Sequence, residues 1–498
     1  MSNFLNSNHK IKSRSTSFSF DILIVADDVV GEKMAGPGIR AWELANVLAT
    51  KFKVALARPD YSPPELPIKP KFSVFSYTVG RDRELAEIVR SSLIILIQGY
   101  VLQKFPWIKT EAPWLIADMY VPFVLENLFI HQKKIPKLED RHFIHCRDLQ
   151  VFNELLLWAD HFLCATEKQR DLLIGCLLSL NRINPTILEV SPDLNDLISL
   201  VPYGLQVEKL TDLVTKKSPD VDSPTESKFL DSIRSEIRGK LFPLKKDDIL
   251  FLWGGVISNW FDPLTLIQAL NEARKINPKI KLLFLSTTHP NPLLPKLDMA
   301  VEAFQLASSL GLLENHVFFN QEWIPYKKRG KYFMAADVAV SIHKIHFETH
   351  FSFRTRMLDY IKYELPILCT EGDYFADLVR EKKLGLVVPE ADVVALKNAM
   401  LELASSSEKR AEMKQNLRLI KEKFTWEKVS EPLVAYCEKV INGKIRHLRV
   451  MPSAESLLPL FLPKRESWLR RLSRQPHLWK ILQKIPPFMA VPLKKLLK

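Results

Sequence analysis

The sequence predicts an α/β protein made of two parallel-sheet halves facing a cleft, with a basic helical tail at its end. Three observations predict it. Apolar runs of strand length alternate with helical patterns in two separate series, as expected of parallel sheets covered on both faces. A charged, proline-punctuated stretch at 207–247 divides the two series. A glycine-bearing loop follows the first strand of each series, the place where open parallel sheets take their ligands.

Residues 1–18 are polar and rich in Ser and Asn, lack an apolar signal core, and read as a disordered N-terminus. The first half spans 19–206, with strand-like runs at Asp21–Ala26, Phe52–Ala57, Leu93–Ile97, Pro113–Ile116, His161–Cys164 and Ile198–Val201. Helical stretches such as Ile39–Ala49 and Thr166–Leu180 lie between them. Residues 207–247 read as linker or surface loop. The second half, 248–423, repeats the alternation at Ile249–Trp253, Ile280–Ser286, Val317–Phe319, Val338–Ile342, Pro366–Cys369 and Gly385–Val388. A helix at 424–443 and a basic amphipathic tail at 444–498 complete a chain that, at 498 residues, exceeds one ordinary core.

The net charge of +13 is unevenly placed: 440–498 holds thirteen Lys/Arg against Glu455 and Glu466, which leaves about +2 for the body. The basic character therefore belongs to the tail, and no nucleic-acid partner is expected. Ser467–Arg474 and His477–Lys484 mix Trp and Leu with Lys and Arg at near-helical spacing, which suits an anionic membrane surface; a protein partner or a solvated tail remains open. Five cysteines (146, 164, 176, 369 and 437) show no ligand or disulfide spacing, a reducing-compartment pattern. No apolar run is long enough to span a bilayer. The expected location is cytoplasmic, peripheral at the inner face of the membrane.

The segment from Phe347 to Asp373 is the richest in chemistry. Read as a loop entering a helix, it places Ser352, Arg356 and Asp359 at i, i+4 and i+7 on one face, while Met357, Leu358 and Ile361 point to a core. Free N–H groups in a first helical turn favour an anion, and arginine adds a planar fork of donors for phosphate. An acid one turn on suits ribose hydroxyls. An Arg356–Asp359 ion pair with a Ser352 cap, as any surface helix carries, is the competing reading.

Several blocks together resemble the GT-B glycosyltransferases, in particular the retaining nucleotide-sugar enzymes of glycosyltransferase family 4. Gly36-Pro37-Gly38-Ile39-Arg40 with Glu43-Leu44-Ala45 is similar to the family's first loop and helix, and Val201-Pro202-Tyr203-Gly204 to the end of its N-terminal domain. Trp253-Gly254-Gly255 looks like the start of the donor domain, Trp323-Ile324-Pro325 with Ala335-Ala336-Asp337-Val338 like the base-binding region, and Phe424-Thr425-Trp426 like the penultimate segment. Leu358-Asp359-Tyr360 with Leu365-Pro366-Ile367 falls where the family has a Glu and a buried strand. The resemblance implies two Rossmann-like domains, an acceptor domain at 19–206 and a nucleotide-sugar donor domain at 248–423, with 424–443 returning to the first. It also implies a metal-independent hexosyltransferase that needs no cofactor and moves a sugar, with retention, from a nucleoside diphosphate to a carbohydrate or lipid-linked acceptor in cell-surface polysaccharide, lipopolysaccharide or glycolipid synthesis.

This chain departs from the family's paired acids, which are separated by seven residues: the position matching the first acid is Phe351. Glu348 is then the candidate for reaching sugar hydroxyls, and the branch is atypical. No Lys or Arg follows Gly254-Gly255, so Arg354 and Arg356 are the candidates for holding the diphosphate. The resemblance thus gives catalytic candidates Glu348, Arg354 and Arg356, and donor-binding candidates Gly36, Gly38, Arg40, Gly254, Gly255, Trp323, Pro325, Ser352, Phe353 and Asp359. Asp118 and Glu126 are acceptor-side candidates equally open to a loop-acid or helix-cap reading, and His145 is a third, on a helix where a surface or packed histidine is the commoner case. His343, His346 and His350 lie in one loop without a second cluster, so no metal site is expected. A sugar-nucleotide epimerase of the same fold, or a catalytically silent membrane-docked scaffold, are the competing functions.

Overall fold

The computed structural model describes residues 18–130, 135–206, 226–287, 289–291 and 297–448. The first half holds β1 (Phe20–Val25), β2 (Val54–Pro59), β3 (Ser73–Tyr77), β4 (Ser92–Gln98), β5 (Trp114–Asp118), β6 (His161–Cys164) and β7 (Ile198–Leu200). The second holds β8 (Ile249–Trp253), β9 (Ile280–Phe284), β10 (Val317–Phe319), β11 (Val338–Ser341), β12 (Ile367–Thr370) and β13 (Gly385–Val388). All their pairings are parallel, in the orders β3-β2-β1-β4-β5-β6-β7 and β10-β9-β8-β11-β12-β13. Ile22 to Val25 and Leu250 to Trp253 are wholly buried, as strands covered by helices on both faces must be. This is the predicted architecture of two α/β halves.

Strand order reverses between β1 and β4 in one sheet and between β8 and β11 in the other. Beyond the carboxyl ends of such strands a crevice opens, because the connecting loops run off in opposite directions. The loops after β1, β8 and β11 therefore carry the site.

Two segments differ from the sequence expectation. β3 is not among the predicted strands; it lies at a sheet edge with Ser73 and Ser76 exposed, so no apolar run marks it. The stretch expected as linker at 207–247 is helical from Glu226 to Ser235 and continues as a π-turn over Glu236–Leu241. Arg238 anchors it: the buried guanidinium donates to Asp337 at 2.5 Å, to the Ala335 carbonyl at 2.8 Å and to the Asp248 carbonyl at 2.8 Å.

After the second sheet the chain crosses back. The Leu205 N–H donates to the Phe424 carbonyl (2.7 Å) and the Trp426 N–H to the Leu205 carbonyl (3.2 Å). A Cβ at Gly204 would lie 2.6 Å from the Trp426 ring, so glycine is needed here for space. The helix Glu431–Ile441 then packs on the first half, with Tyr436 stacked on His161 at 3.8 Å and Lys439 paired with Asp196 at 2.7 Å. The amphipathic tail segments lie outside the described residues. Among the described residues no helix is long and apolar enough to cross a membrane.

Candidate active site

The switch-point loops meet in a cleft of roughly 400 Å³ lined from both halves. After β8 the chain turns at Gly255, whose φ of +85° is one that other residues rarely adopt. The turn is held from behind by Tyr360, which accepts from the Gly254 N–H at 3.0 Å and donates its hydroxyl to the Val340 carbonyl at 2.8 Å. A Cβ at Gly254 would meet the Tyr360 and Phe333 rings at 3.0 and 3.1 Å. The backbone at 254–255 is therefore bare and fixed, as close approach of a ligand requires.

Arg356 sits beside this turn. Its guanidinium lies 4.0 Å from the Phe261 ring centroid and 4.9 Å from that of Trp253, and Nη2 donates to the Val256 carbonyl at 2.7 Å. Nη1 is buried with no hydrogen-bond partner. Burial in this aromatic cage pushes the Arg356 pKa down to about 10, still cationic at neutral pH. A buried cation with a spare N–H donor is costly unless an anion supplies the missing contact. Trp323, also on the cleft wall, leaves its buried indole N–H unpaired as well.

Asp359 lines the same wall and accepts from Arg329 Nη2 at 2.9 Å, while Arg329 lies over the Tyr326 ring at 4.7 Å. Burial raises the Asp359 carboxyl, and Arg329 opposes that rise. The competing pair expected from spacing, Arg356 with Asp359, is thus replaced by Arg329 with Asp359. In the sequence, the signal that marks Arg329 is its place in the basic run Lys327-Lys328-Arg329, just after Trp323-Ile324-Pro325.

Residues 234–419 match the family described as glycosyl transferases group 1. The architecture is that of the GT-B glycosyltransferases. It is similar to sucrose-phosphate synthase from Thermosynechococcus elongatus (17% identity, 85% of this chain and 99% of that one, TM-score 0.56). It is similar to Anabaena HepE in complex with UDP and glucose (13%, 84% and 100%, 0.57) and to WaaG, a glycosyltransferase involved in lipopolysaccharide biosynthesis (16%, 85% and 100%, 0.54). No curated protein matches the chain by sequence.

In this GT-B cleft several predicted site residues stand elsewhere than expected. The helix of the Phe347 segment is broken in two, Phe347–Phe351 and Arg356–Lys362, with Ser352 in extended backbone between them, so Ser352 and Arg356 share no helix face. Glu348 is wholly buried and turned inward: both its oxygens accept from the Arg354 fork at 2.8 Å, and the Ser352 hydroxyl donates to it as well. Arg354 lines the cleft with its two terminal nitrogens on Glu348, while its buried Nε has no hydrogen-bond partner and stands 3.9 Å from Asp373. Ser352 and Phe353 also line the cleft.

Arg40 does not face the cleft. It is buried inside the first half, donating to Asp118 at 2.6 and 2.8 Å and to the Val201 and Pro202 carbonyls at 2.8 and 3.0 Å. Asp118, an acceptor-side candidate, is consumed by this pair and by Gln98 at 3.0 Å. Gly38 answers to packing, since a Cβ there would sit 2.0 Å from the Val29 carbonyl oxygen, whereas Gly36 lines the cleft across from Thr355. Pro325 forms the turn that accepts from the Lys328 and Arg329 N–H groups, behind the lining residues Ile324 and Tyr326. His145 is half-buried on the helix Leu138–Trp158, away from the cleft, while Glu126 lines it. Among the described residues no three His, Cys, Asp or Glu side chains converge as a metal site.

Proposed function

We propose that this protein transfers a sugar from a nucleoside-diphosphate sugar to an acceptor hydroxyl, with retention at the anomeric carbon. The observation that carries the reading is the caged Arg356 with its unpaired Nη1, set against the bare Gly254-Gly255 turn. A diphosphate on that turn would supply the anion Arg356 lacks. Asp359 would take the ribose hydroxyls, and Trp323 would offer its indole N–H to the base side. HepE has been determined with UDP-glucose, and a trehalose-6-phosphate protein from E. coli with UDP-2-fluoro glucose, on the same fold, which supports a nucleotide-sugar donor here.

In the proposed reaction the bond from the anomeric carbon to the phosphate oxygen breaks, and the acceptor oxygen bonds to that carbon on the same face. The acceptor proton passes to the leaving phosphate oxygen, so no separate base is needed. Negative charge gathers on the diphosphate as the bond lengthens, and Arg356 stabilises that state more than the ground state. The acceptor is a carbohydrate or lipid-linked hydroxyl at the inner face of the membrane, reached with the help of the basic tail.

The test is a thermal-shift screen of UDP-glucose, UDP-galactose, GDP-mannose and ADP-glucose, followed by assay of each stabilising ligand without acceptor. Binding with slow release of free sugar is expected. An isomerised sugar would identify an epimerase, and no binding to any nucleotide sugar would contradict the reading.

A further inference from the structure

The cleft lacks an acid on the loop where the resemblance leads one to expect it. Phe351 occupies the position, and Glu348 is locked into the Arg354 fork beneath the surface. The opposite wall supplies one. The helix Phe123–Ile130 of the first half is clamped onto this loop: Phe129 stacks on the His346 ring at 4.1 Å, and Gln169 Nε2 bridges the Tyr120 carbonyl (2.9 Å) and the Phe351 carbonyl (2.8 Å). Glu126 lies in the first turn of that helix and lines the cleft. Its neighbour Asn127 is committed to Tyr100 and Asp148, whereas the Glu126 carboxyl has no hydrogen bond to any described residue.

We propose that Glu126 supplies, from the acceptor-side wall, the carboxyl group that contacts the hydroxyls of the transferred sugar. This rests on the donor reading of the cleft given above. Two features make the group suited to a hydroxyl rather than to a cation. Burial, then the charge of Glu348, pushes its pKa up to about 8, with Arg354 pulling the other way. It therefore carries a proton at neutral pH and offers both an O–H donor and a carbonyl acceptor, the pair a sugar hydroxyl uses. The charged groups acting on it from the donor side are Glu348 and Arg354; on its own side Asp148 is held by Tyr100 and by the neighbouring Asn127. Above about pH 8 it ionises beside the buried Glu348 charge and loses the O–H donor.

The experiment compares the full chain with Glu126→Ala and Glu126→Gln, using the nucleotide sugar that the screen selects and its nucleoside diphosphate. Expected are unchanged diphosphate affinity by calorimetry in all three, and acceptor-independent hydrolysis reduced roughly 10- to 100-fold in Glu126→Ala. Glu126→Gln, which keeps a neutral donor and acceptor, should recover much of that loss and flatten the fall in rate above about pH 8. Wild-type hydrolysis in Glu126→Ala, or loss of diphosphate affinity together with rate, would overturn the assignment while leaving the donor site intact. An effect seen only when acceptor is present would also overturn it, by moving Glu126 to the acceptor. A wild-type chain that neither binds nor hydrolyses any nucleotide sugar would remove both readings together.

Discussion

Arg40 and Arg356 show how two arginines near glycine loops come to opposite uses. Arg40 is saturated: Nε and both terminal nitrogens donate to Asp118 and to two carbonyls, and its guanidinium rests 4.5 Å from the Tyr120 ring centroid. Nothing is left for a ligand. The pair is a brace between the first helix, Gly36–Leu48, and β5, and breaking it strands a buried carboxylate. Arg40→Met should lower stability by about 3–5 kcal/mol, and adding Asp118→Leu should return part of that loss, because a buried ion pair is worth far less than half of it left alone. Thermal melting of the three proteins checks this; unchanged melting in Arg40→Met with weakened nucleotide binding would instead make Arg40 a ligand group.

The elements were legible where burial dictates composition. β1, β4, β8 and β11 are wholly or almost wholly buried, so their apolar runs announced them, and their order in the chain implied two parallel sheets. β3 has one paired edge and exposed serines, so nothing in its composition marked it. The helix break between Phe351 and Arg356 was equally hidden: apolar spacing continues through it, and only the inward Glu348–Arg354–Ser352 cluster explains why the chain leaves the helix. That one break separates the candidates. Arg356 and Asp359 stay with the helix at the cleft wall, while Glu348 turns inward, a partnership six residues apart that no periodicity encodes. Glycines were visible but their reasons were not, since Gly38 and Gly204 serve packing and Gly254 and Gly255 shape the cleft.

At the scale of the molecule, the two halves touch through polar contacts as well as apolar ones. Glu43 of the first helix accepts from Tyr326 at 2.9 Å, across the cleft, and from Gln206 at 2.7 Å, with Lys362 and Arg329 nearby. Burial raises its pKa from the ordinary carboxyl range to about 7. An acid with a raised folded pKa binds its proton more tightly in the folded state, so this contribution is full below about pH 4.5 and lost as pH rises through about 7. The shift corresponds to at most roughly 3 kcal/mol. Glu43→Gln should therefore melt higher than the wild type at pH 8 and have a flatter melting profile between pH 5 and 8; parallel profiles would remove Glu43 from the contact's pH response. The same closure brings Gly36, Glu126 and Tyr120 opposite Arg356 and Gly255, which makes the cleft a site belonging to both halves. A nucleoside diphosphate bound there should depend on Arg356. Calorimetric titration of nucleoside diphosphates into wild type and Arg356→Ala decides this: binding should be at least roughly 10-fold weaker in the variant with melting temperature little changed, and equal affinity in the two proteins would exclude Arg356 as the diphosphate's partner.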